Sequence, residues 1–342
     1  MLHPLIPSLV DLASGSEMSS YGEPQWSFLL GGADIDAFVV PAENENSESY
    51  EKEEGSNVAP AHVLGNVLRV KLSDTVSGYG MVLVDPSQRG KGYARSLIDA
   101  AMQKSSCSGK DNVKKDVEDP GRSILAICTK LGVPVYRKMG FHEVGLVTGL
   151  SGPVSSFSNA DLTKDETAVK VNICSSPPNE NKRQMFTEMD TKATGYNRQN
   201  RISLLLSGTY SPESLSATAF ATEWDDETKC DVAVGAAAIR QDCPGGPLVV
   251  GPVMGEERAA IPLVRALARS FPARDDGDDD DDAASVQQLS IMISDHIGLV
   301  DRFVGIDGVE RGIEGPAMSL DARPVYEGGD GSYLALMHPT LG

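Results

Sequence analysis

Between Val84 and Arg95 the chain carries Pro86, Arg89, Gly90, Lys91, Gly92, Tyr93 and Ala94 in a single short turn. Glycines at 90 and 92 remove side chains that would hold a bulky anion away from the backbone. Successive N–H groups at the start of a helix can then converge on phosphate oxygens. Arg89, Lys91 and Arg95 add local positive charge, and the helix dipole adds more. A diphosphate fits such a turn. The spacing is not that of a Walker A loop, and the third glycine of a dinucleotide fingerprint is missing. Taken alone, a G-x-G is equally a turn leading into a helix.

A second cluster lies about 45 residues later, in Cys128 to Phe141, with Tyr136, Gly140 and Phe141 in a Tyr-x-x-x-Gly-Phe arrangement. A phenol there can donate a proton to a leaving group, or it can simply pack an amphipathic helix against the next strand.

These groups need elements to hold them. Short runs rich in β-branched and apolar residues at 36–40, 67–72 and 80–84 predict three strands. After Val84, Leu97, Ile98, Ala101 and Met102 recur at helical spacing, completing a strand-turn-helix unit. Residues 124–128 predict a buried strand, Tyr136 falls in a short helix stopped by Gly140, and 142–149 predict a closing strand. The Ser-, Gly- and Asn-rich stretch 152–164 predicts a domain boundary. Beyond it the alternation resumes: strands at 168–174, 216–222, 231–239 and 247–253, a helix with Leu263, Val264, Leu267 and Phe271 on one face, a strand at 286–293, a helix at 297–304 and a last strand at 333–337.

Val84, Pro86, Arg89, Gly92 and Ala94 meet the V-x-P-x-x-[RQ]-x-x-G-x-[GA] motif of the GNAT (general N-acetyltransferase) superfamily, and the Tyr136 to Phe141 block stands where that family places its second motif. The chain thus resembles a GNAT acetyltransferase of tandem type, and the resemblance reaches most of its length. It implies an α/β (α+β) fold of two acyl-CoA N-acyltransferase-like domains, each a mixed, mostly antiparallel sheet flanked by helices. It implies acetyl-CoA as cosubstrate, held by backbone groups of Val82, Leu83 and Val84 and by the turn Arg89, Gly90, Lys91, Gly92, Tyr93, Ala94 and Arg95. Tyr136 would be the general acid to the leaving thiolate. The implied reaction is direct transfer of the acetyl group to a primary amine of a small molecule or protein. Asp74 and Glu143 are the carboxylates that could take the amine proton. The alternative is a non-catalytic acyl-CoA sensor or interaction scaffold on the same fold.

On this division residues 1–151 form the acetyltransferase domain, 152–164 a linker, and 165–342 a degenerate acetyltransferase-like domain. Its signs are Asp190, Gly195 and Arg198, the run Val249 to Val253 before a helix, Met318 in a late strand, and the ending from Tyr333. Where it should repeat the phosphate turn, it has Glu256 and Glu257, which would repel a diphosphate. This half is therefore expected to bind no coenzyme and to shape the substrate pocket or stabilise the first half. Asp190 and Arg198 could face that pocket or form a structural ion pair. A family-type first strand is also missing before Asp36.

Composition narrows the rest. The 342 residues carry a formal net charge of -19, with 40% hydrophobic and 23% charged residues, a soluble profile long enough for two domains. Much of the acidity lies in a loop at about 42–60 and an Asp-rich insertion at 275–282, both read as solvated. Clusters of Lys and Arg suited to nucleic acid are absent. Neither the five cysteines nor the five histidines show metal spacing, and no stretch is apolar enough for a membrane span. A cytoplasmic protein with no metal is expected. The acidic exterior suits a cationic acceptor such as a polyamine, aminoglycoside or basic peptide.

Overall fold

The computed structural model describes residues 3–15, 21–31, 34–42, 62–72, 76–106, 123–175, 177–207, 215–241, 247–271, 287–294, 296–322 and 332–336. The acidic loop, the Asp-rich insertion, Asp74 and Asp295 lie outside them. In chain order the elements are α1 (Ile6–Ser14), α2 (Glu23–Leu30), β1 (Ile35–Pro41), β2 (Val63–Lys71), β3 (Val76–Val84), α3 (Tyr93–Ser106), β4 (Ser123–Ile127), α4 (Val133–Lys138) and β5 (His142–Pro153). They continue with α5 (Val154–Ser158), α6 (Lys164–Thr167), β6 (Lys170–Ser175), α7 (Glu180–Thr194), α8 (Gln199–Ser207), β7 (Leu215–Asp225), β8 (Cys230–Gln241), β9 (Leu248–Gly255), α9 (Glu257–Ser270), β10 (Gln288–Ser294), α10 (Ile297–Val304), β11 (Glu310–Ser319) and β12 (Tyr333–Ala335).

The order α-α-β-β-β-α-β-α-β, from α1 to β5, recurs from α7 to β11. The resemblance implied two sheets, but the strands form one twelve-stranded sheet in the order β1-β2-β3-β4-β11-β5-β10-β12-β9-β8-β7-β6. Its centre is an exchange. β11 of the second half lies antiparallel between β4 and β5, while β5 of the first half lies antiparallel between β11 and β10. Each half thus lends its last repeated strand to the other. Disregarding β6 and β12, the sheet reads as a palindrome of equivalent strands about the β5–β11 pair.

Local chemistry accounts for the parts. β2 is buried along nearly its whole length, which suits its run of Val, Leu and Gly between two neighbours. α9 lies close on the sheet because β8 presents the small residues Gly235 and Ala237 to it; a Cβ on Gly235 would meet the Ala259 Cβ at 3.0 Å. α7 begins with the Asn179 side chain accepting from Lys182 N–H and stops at Gly195, whose φ of 75° is left-handed.

The halves also share a core. Trp26, Phe28 and Leu29 of α2 pack in the same cluster as Phe186, Ile202, Leu205 and Phe220. Arg201 of α8, almost wholly buried, donates to the Phe28 carbonyl and pairs with Asp34 just before β1. The stretch expected as a linker is folded: its start ends β5, and α5 buries Val154 and Phe157 in the second core cluster beside α9. Its Ser and Gly content masked those two anchors. Helices, not a strand, precede β1 among the described residues, and none of the described helices is long and apolar enough to cross a membrane.

Candidate functional site

β3 and β4 run parallel and paired from Val76 opposite Ser123 to Tyr79 opposite Ala126, and then part. The parting begins at a bulge. Against β2, Asn66 stands opposite Leu83 and Leu68 opposite Gly80, so Met81 is extra, and its φ of 52° is left-handed. A non-glycine residue there costs about 1 kcal/mol or more. The buried Asn66 side chain holds it, its Nδ2 donating to the Met81 carbonyl at 3.0 Å. Beyond this point residues 82–84 have no partner on their β4 side among the described strands, and a cleft of about 750 Å³ opens there.

One end of the cleft is the glycine turn. The Asp85 carboxylate accepts from Ser87 N–H at 2.8 Å and from the Ser87 hydroxyl, and these bonds hold its pKa below the usual carboxylate range. Gly90 and Gly92 come next, with φ of 81° and 88°. A Cβ on either would meet nothing within 4 Å, so backbone conformation selects glycine here rather than lack of room. α3 starts at once, with Ser96 N–H bonded to the Gly92 carbonyl, which leaves the first amides of the helix directed at the cleft end. Arg89 donates from Nε to the Val84 carbonyl at 3.4 Å, Lys91 reaches Gln88, and Arg95 stands 3.6 Å from Asp99. All of these are solvent-facing, and Gln88 to Gly90 and Gly92 to Arg95 line the cleft. Such an end is suited to a phosphate-bearing ligand.

Farther in, α4 presents Tyr136. The helix is closed by Gly140 at φ 89°, and Phe141 N–H returns to the Tyr136 carbonyl, which sets the two rings edge to face at 5.1 Å. Tyr136 is 3% exposed yet lines the cleft. Burial, then the neighbouring Cys128 and Tyr79, push its pKa up, so the phenol keeps its proton through the neutral range. Cys128 sits beside it at the end of β4. Burial first, then the Glu143 charge, raise its thiol to about 11, which removes it as a nucleophile near neutral pH.

The opposite wall comes from parts of the chain that no local motif connects. Tyr21 leads into α2, Val147 and Gly149 lie on β5, Met292 on β10, and Ile313 and Gly315 on β11. The exchange of strands brings them here, with Gly149 opposite Met292 and Val147 opposite Gly315. Gly315 is required by close approach, since a Cβ would stand 2.2 Å from the Cys128 carbonyl oxygen. The turn and Tyr136, expected from the sequence, border this cleft, whereas Tyr21, Asn66, Cys128, Met292 and Ile313 were not among the expected residues. Cys128 lay inside a recognised block; for the others no sequence signal existed.

Other expected residues stand elsewhere. Glu143 is exposed and paired with Arg137. Asp190 and Arg198 do not face the cleft. They form a buried pair in which Arg198 Nε donates to Asp190 Oδ2 at 3.1 Å, Nη2 donates to the Tyr333 hydroxyl at 2.9 Å, and the guanidinium lies 4.9 Å from the Tyr333 ring. This pair anchors β12, which occupies the second gap of the sheet. β9 and β10 are paired from Leu248 to Val250 and then separate, and β12 enters between them, with Ile293 opposite Ala335 and Tyr333 opposite Met254. Gly255 N–H bonds to the Ser332 carbonyl and Leu336 N–H to the Met292 carbonyl, both at 2.8 Å. Glu256 caps α9 and is paired with Arg258.

The fold is similar to solved acetyltransferase folds over almost its entire length. A proposed acetyltransferase from Pyrococcus horikoshii superposes with a TM-score of 0.60 at 12% identity, covering 99% of this chain and 93% of that one. A tandem GNAT protein from the clavulanic acid biosynthesis pathway gives 0.58 at 12%, covering 93% and 95%. A GCN5-related N-acetyltransferase from Sphaerobacter thermophilus gives 0.52 at 11%, covering 95% and 92%. Neither a protein-family profile nor a curated protein matches the sequence. The chain has the tandem GNAT fold, and at this identity the likeness extends to the fold alone.

Proposed function

We propose that this chain binds acetyl-CoA in the cleft between β3 and β4 and transfers the acetyl group directly to a primary amine. The observation that carries this reading is the meeting, in one cleft, of the glycine turn with the buried phenol of Tyr136. Neither of the two motifs specifies the reaction alone. The cleft fits the coenzyme in three respects. Its outer end offers the amides at the start of α3, with Gly90, Lys91, Gly92, Tyr93 and Ala94, and the cations Arg89 and Arg95 for the diphosphate. Val82, Leu83 and Val84 offer backbone groups along the gap, where the amides of an extended pantetheine arm can continue the sheet. The inner end is largely apolar and holds Tyr136.

Acetyl-CoA supplies an activated thioester when bound. The protein's own groups then have three tasks. The bulge at Met81, braced by Asn66, turns backbone groups of β3 toward the gap, where an N–H can stabilise developing negative charge on a carbonyl. Tyr136 gives its phenolic proton to the departing sulfur, which avoids release of a bare thiolate into an apolar site. Cys128, held as a thiol, stays out of the reaction, so transfer passes to the amine without an acyl-enzyme. The second half contributes Met292, Ile313 and Gly315 to the wall and holds no coenzyme of its own, because β12 fills its gap.

The test is calorimetry with acetyl-CoA, then thiol release in the presence of amines. We expect one coenzyme per chain. Tyr136→Phe should bind acetyl-CoA within about twofold of wild type and lose roughly 100-fold or more in kcat, the range for a positioned general acid. Turnover unchanged in Tyr136→Phe would remove the proton-donor role, and absence of coenzyme binding would remove the proposal itself.

A further inference from the structure

The wall of the cleft beyond Tyr136 has a consistent chemistry. Tyr21, Ile127, Val147, Met292 and Ile313 line it, drawn from α2's approach, β4, β5, β10 and β11. Val147 and Met292 belong to the apolar core cluster or pack against it. Two of the most exposed large apolar side chains among the described residues stand on the same rim: Ile313 at 65% and Leu131 at 63%. Apolar groups left in solvent at the mouth of an apolar cleft mark a surface meant to be covered by ligand. The lining cations, Arg89, Arg95 and Lys138, belong to the glycine turn, α3 and α4, and none of the described lining residues is Asp, Glu or His.

The attacking amine must be neutral. An alkylamine of lysine type, with a pKa near 10.4, is neutral to only roughly 0.1% at pH 7.5, whereas an α-amino group with a pKa near 8 is neutral to about a quarter. Carrying a cation into an apolar wall adds a further penalty unless a carboxylate meets it. The acidic exterior had suited a polycation; the interior of the cleft suits the opposite.

Resting on the function proposed above, we propose that the acceptor is a small, weakly basic amine borne on an apolar body, of the class of arylamines and α-amino amides of apolar amino acids. The apolar body lies against Met292 and Ile313, and the amine nitrogen points toward Tyr136. The nitrogen's lone pair forms the new C–N bond as the C–S bond breaks. The sulfur takes the phenolic proton, and the nitrogen's surplus proton returns to the phenolate through solvent.

The experiment measures thiol release at pH 7.5 with 4-ethylaniline, phenylalanine amide, spermidine and kanamycin, with acetyl-CoA binding measured separately by calorimetry. We expect kcat/KM for the two apolar amines to exceed that for the two polycations at least thirtyfold. Equal or greater turnover of spermidine or kanamycin overturns the acceptor class and leaves the acetyltransferase reading intact. Coenzyme binding with no turnover of either apolar amine overturns it too. Failure to bind acetyl-CoA strikes the underlying reading instead. Ile313→Glu, at an exposed position that tolerates a polar residue, should raise KM for 4-ethylaniline about tenfold and leave the acetyl-CoA dissociation constant within twofold. An unchanged KM in that variant overturns the placement of the acceptor.

Discussion

The gap between β3 and β4 and the gap between β9 and β10 arise from the same elements in the same order, yet one is a cleft and the other is filled. Both begin as a short parallel pairing that then splits. They differ in the segment that leads from strand to helix. After β3 the chain spends residues 85–92 on a turn with two left-handed glycines before α3 begins; after β9 only Glu256 precedes α9. Into the second gap the protein inserts its own Tyr333–Ala335, bonded to both flanking strands and tied down by Arg198. A split sheet leaves backbone groups that must find partners. The second half satisfies them with its own chain, while the first, on the function proposed above, leaves them for a ligand. Duplicated architecture thus yields one open gap and one filled gap, and the turn and the plug decide which is which.

Several substitutions would break that contrast or sharpen it. The largest effect is expected at the plug. Arg198→Met leaves the buried Asp190 carboxylate without its guanidinium and Tyr333 without that donor, so unfolding free energy in urea should fall by about 3–5 kcal/mol, the cost of halving a buried ion pair. A loss below about 1 kcal/mol would show that β12 is not anchored there. Next, Gly92→Glu makes the first turn resemble the second. It places a carboxylate beside the phosphate position and an L-side chain at φ 88°, where the space is open enough for the fold to survive. Acetyl-CoA affinity should drop roughly 100-fold by calorimetry, from repulsion and backbone strain together.

A smaller effect is expected from Asn66→Leu. It removes the brace on Met81 without adding a charge, and should lower kcat about tenfold while changing coenzyme affinity little, because the bulge orients the reacting carbonyl more than it holds the diphosphate. Stopped-flow single-turnover rates separate this from a slowed product release. The smallest effect belongs to Cys128→Ala. A thiol raised to about 11 is protonated at pH 7.5, so kcat should change less than threefold. A loss beyond 100-fold, with the fold retained by circular dichroism, would require a covalent intermediate.

Much of the fold was legible in the sequence. Strands at 36–40, 67–72, 80–84, 124–128 and six in the second half were readable from apolar runs, because β-branched clusters between turn residues have few alternatives; β11 was marked only by Met318. α7 was harder. Its face is polar, and only Phe186, Asp190, Ala193 and Thr194 are buried, so no strong apolar stripe betrays it. α1 and α2 pack on each other and on β1 to β3 while joining a core shared with α7 and α8, and no helix was expected there. The segment at 152–164 misled in the other direction, since its small polar residues concealed Val154 and Phe157. In the site, local geometry wrote itself into local sequence: left-handed φ at Gly90 and Gly92 and the helix stop at Gly140 demand glycine and so were visible.

The amino-acid sequence by itself determined the glycine turn, the tyrosine that comes after it, and the acidic pair Glu256 and Glu257 at the corresponding place in the second half. These depend on contacts within a dozen residues, where backbone conformation and charge dictate residue type. Only the tertiary structure decided that the two halves exchange β5 and β11, that Met292 and Ile313 of the second half line the same cleft as Tyr136 of the first, and that Tyr333 plugs the second gap. Those outcomes rest on pairings between residues far apart in the chain. A backbone hydrogen bond between strands leaves no mark on the side chains that flank it, so no spacing in the sequence could announce them.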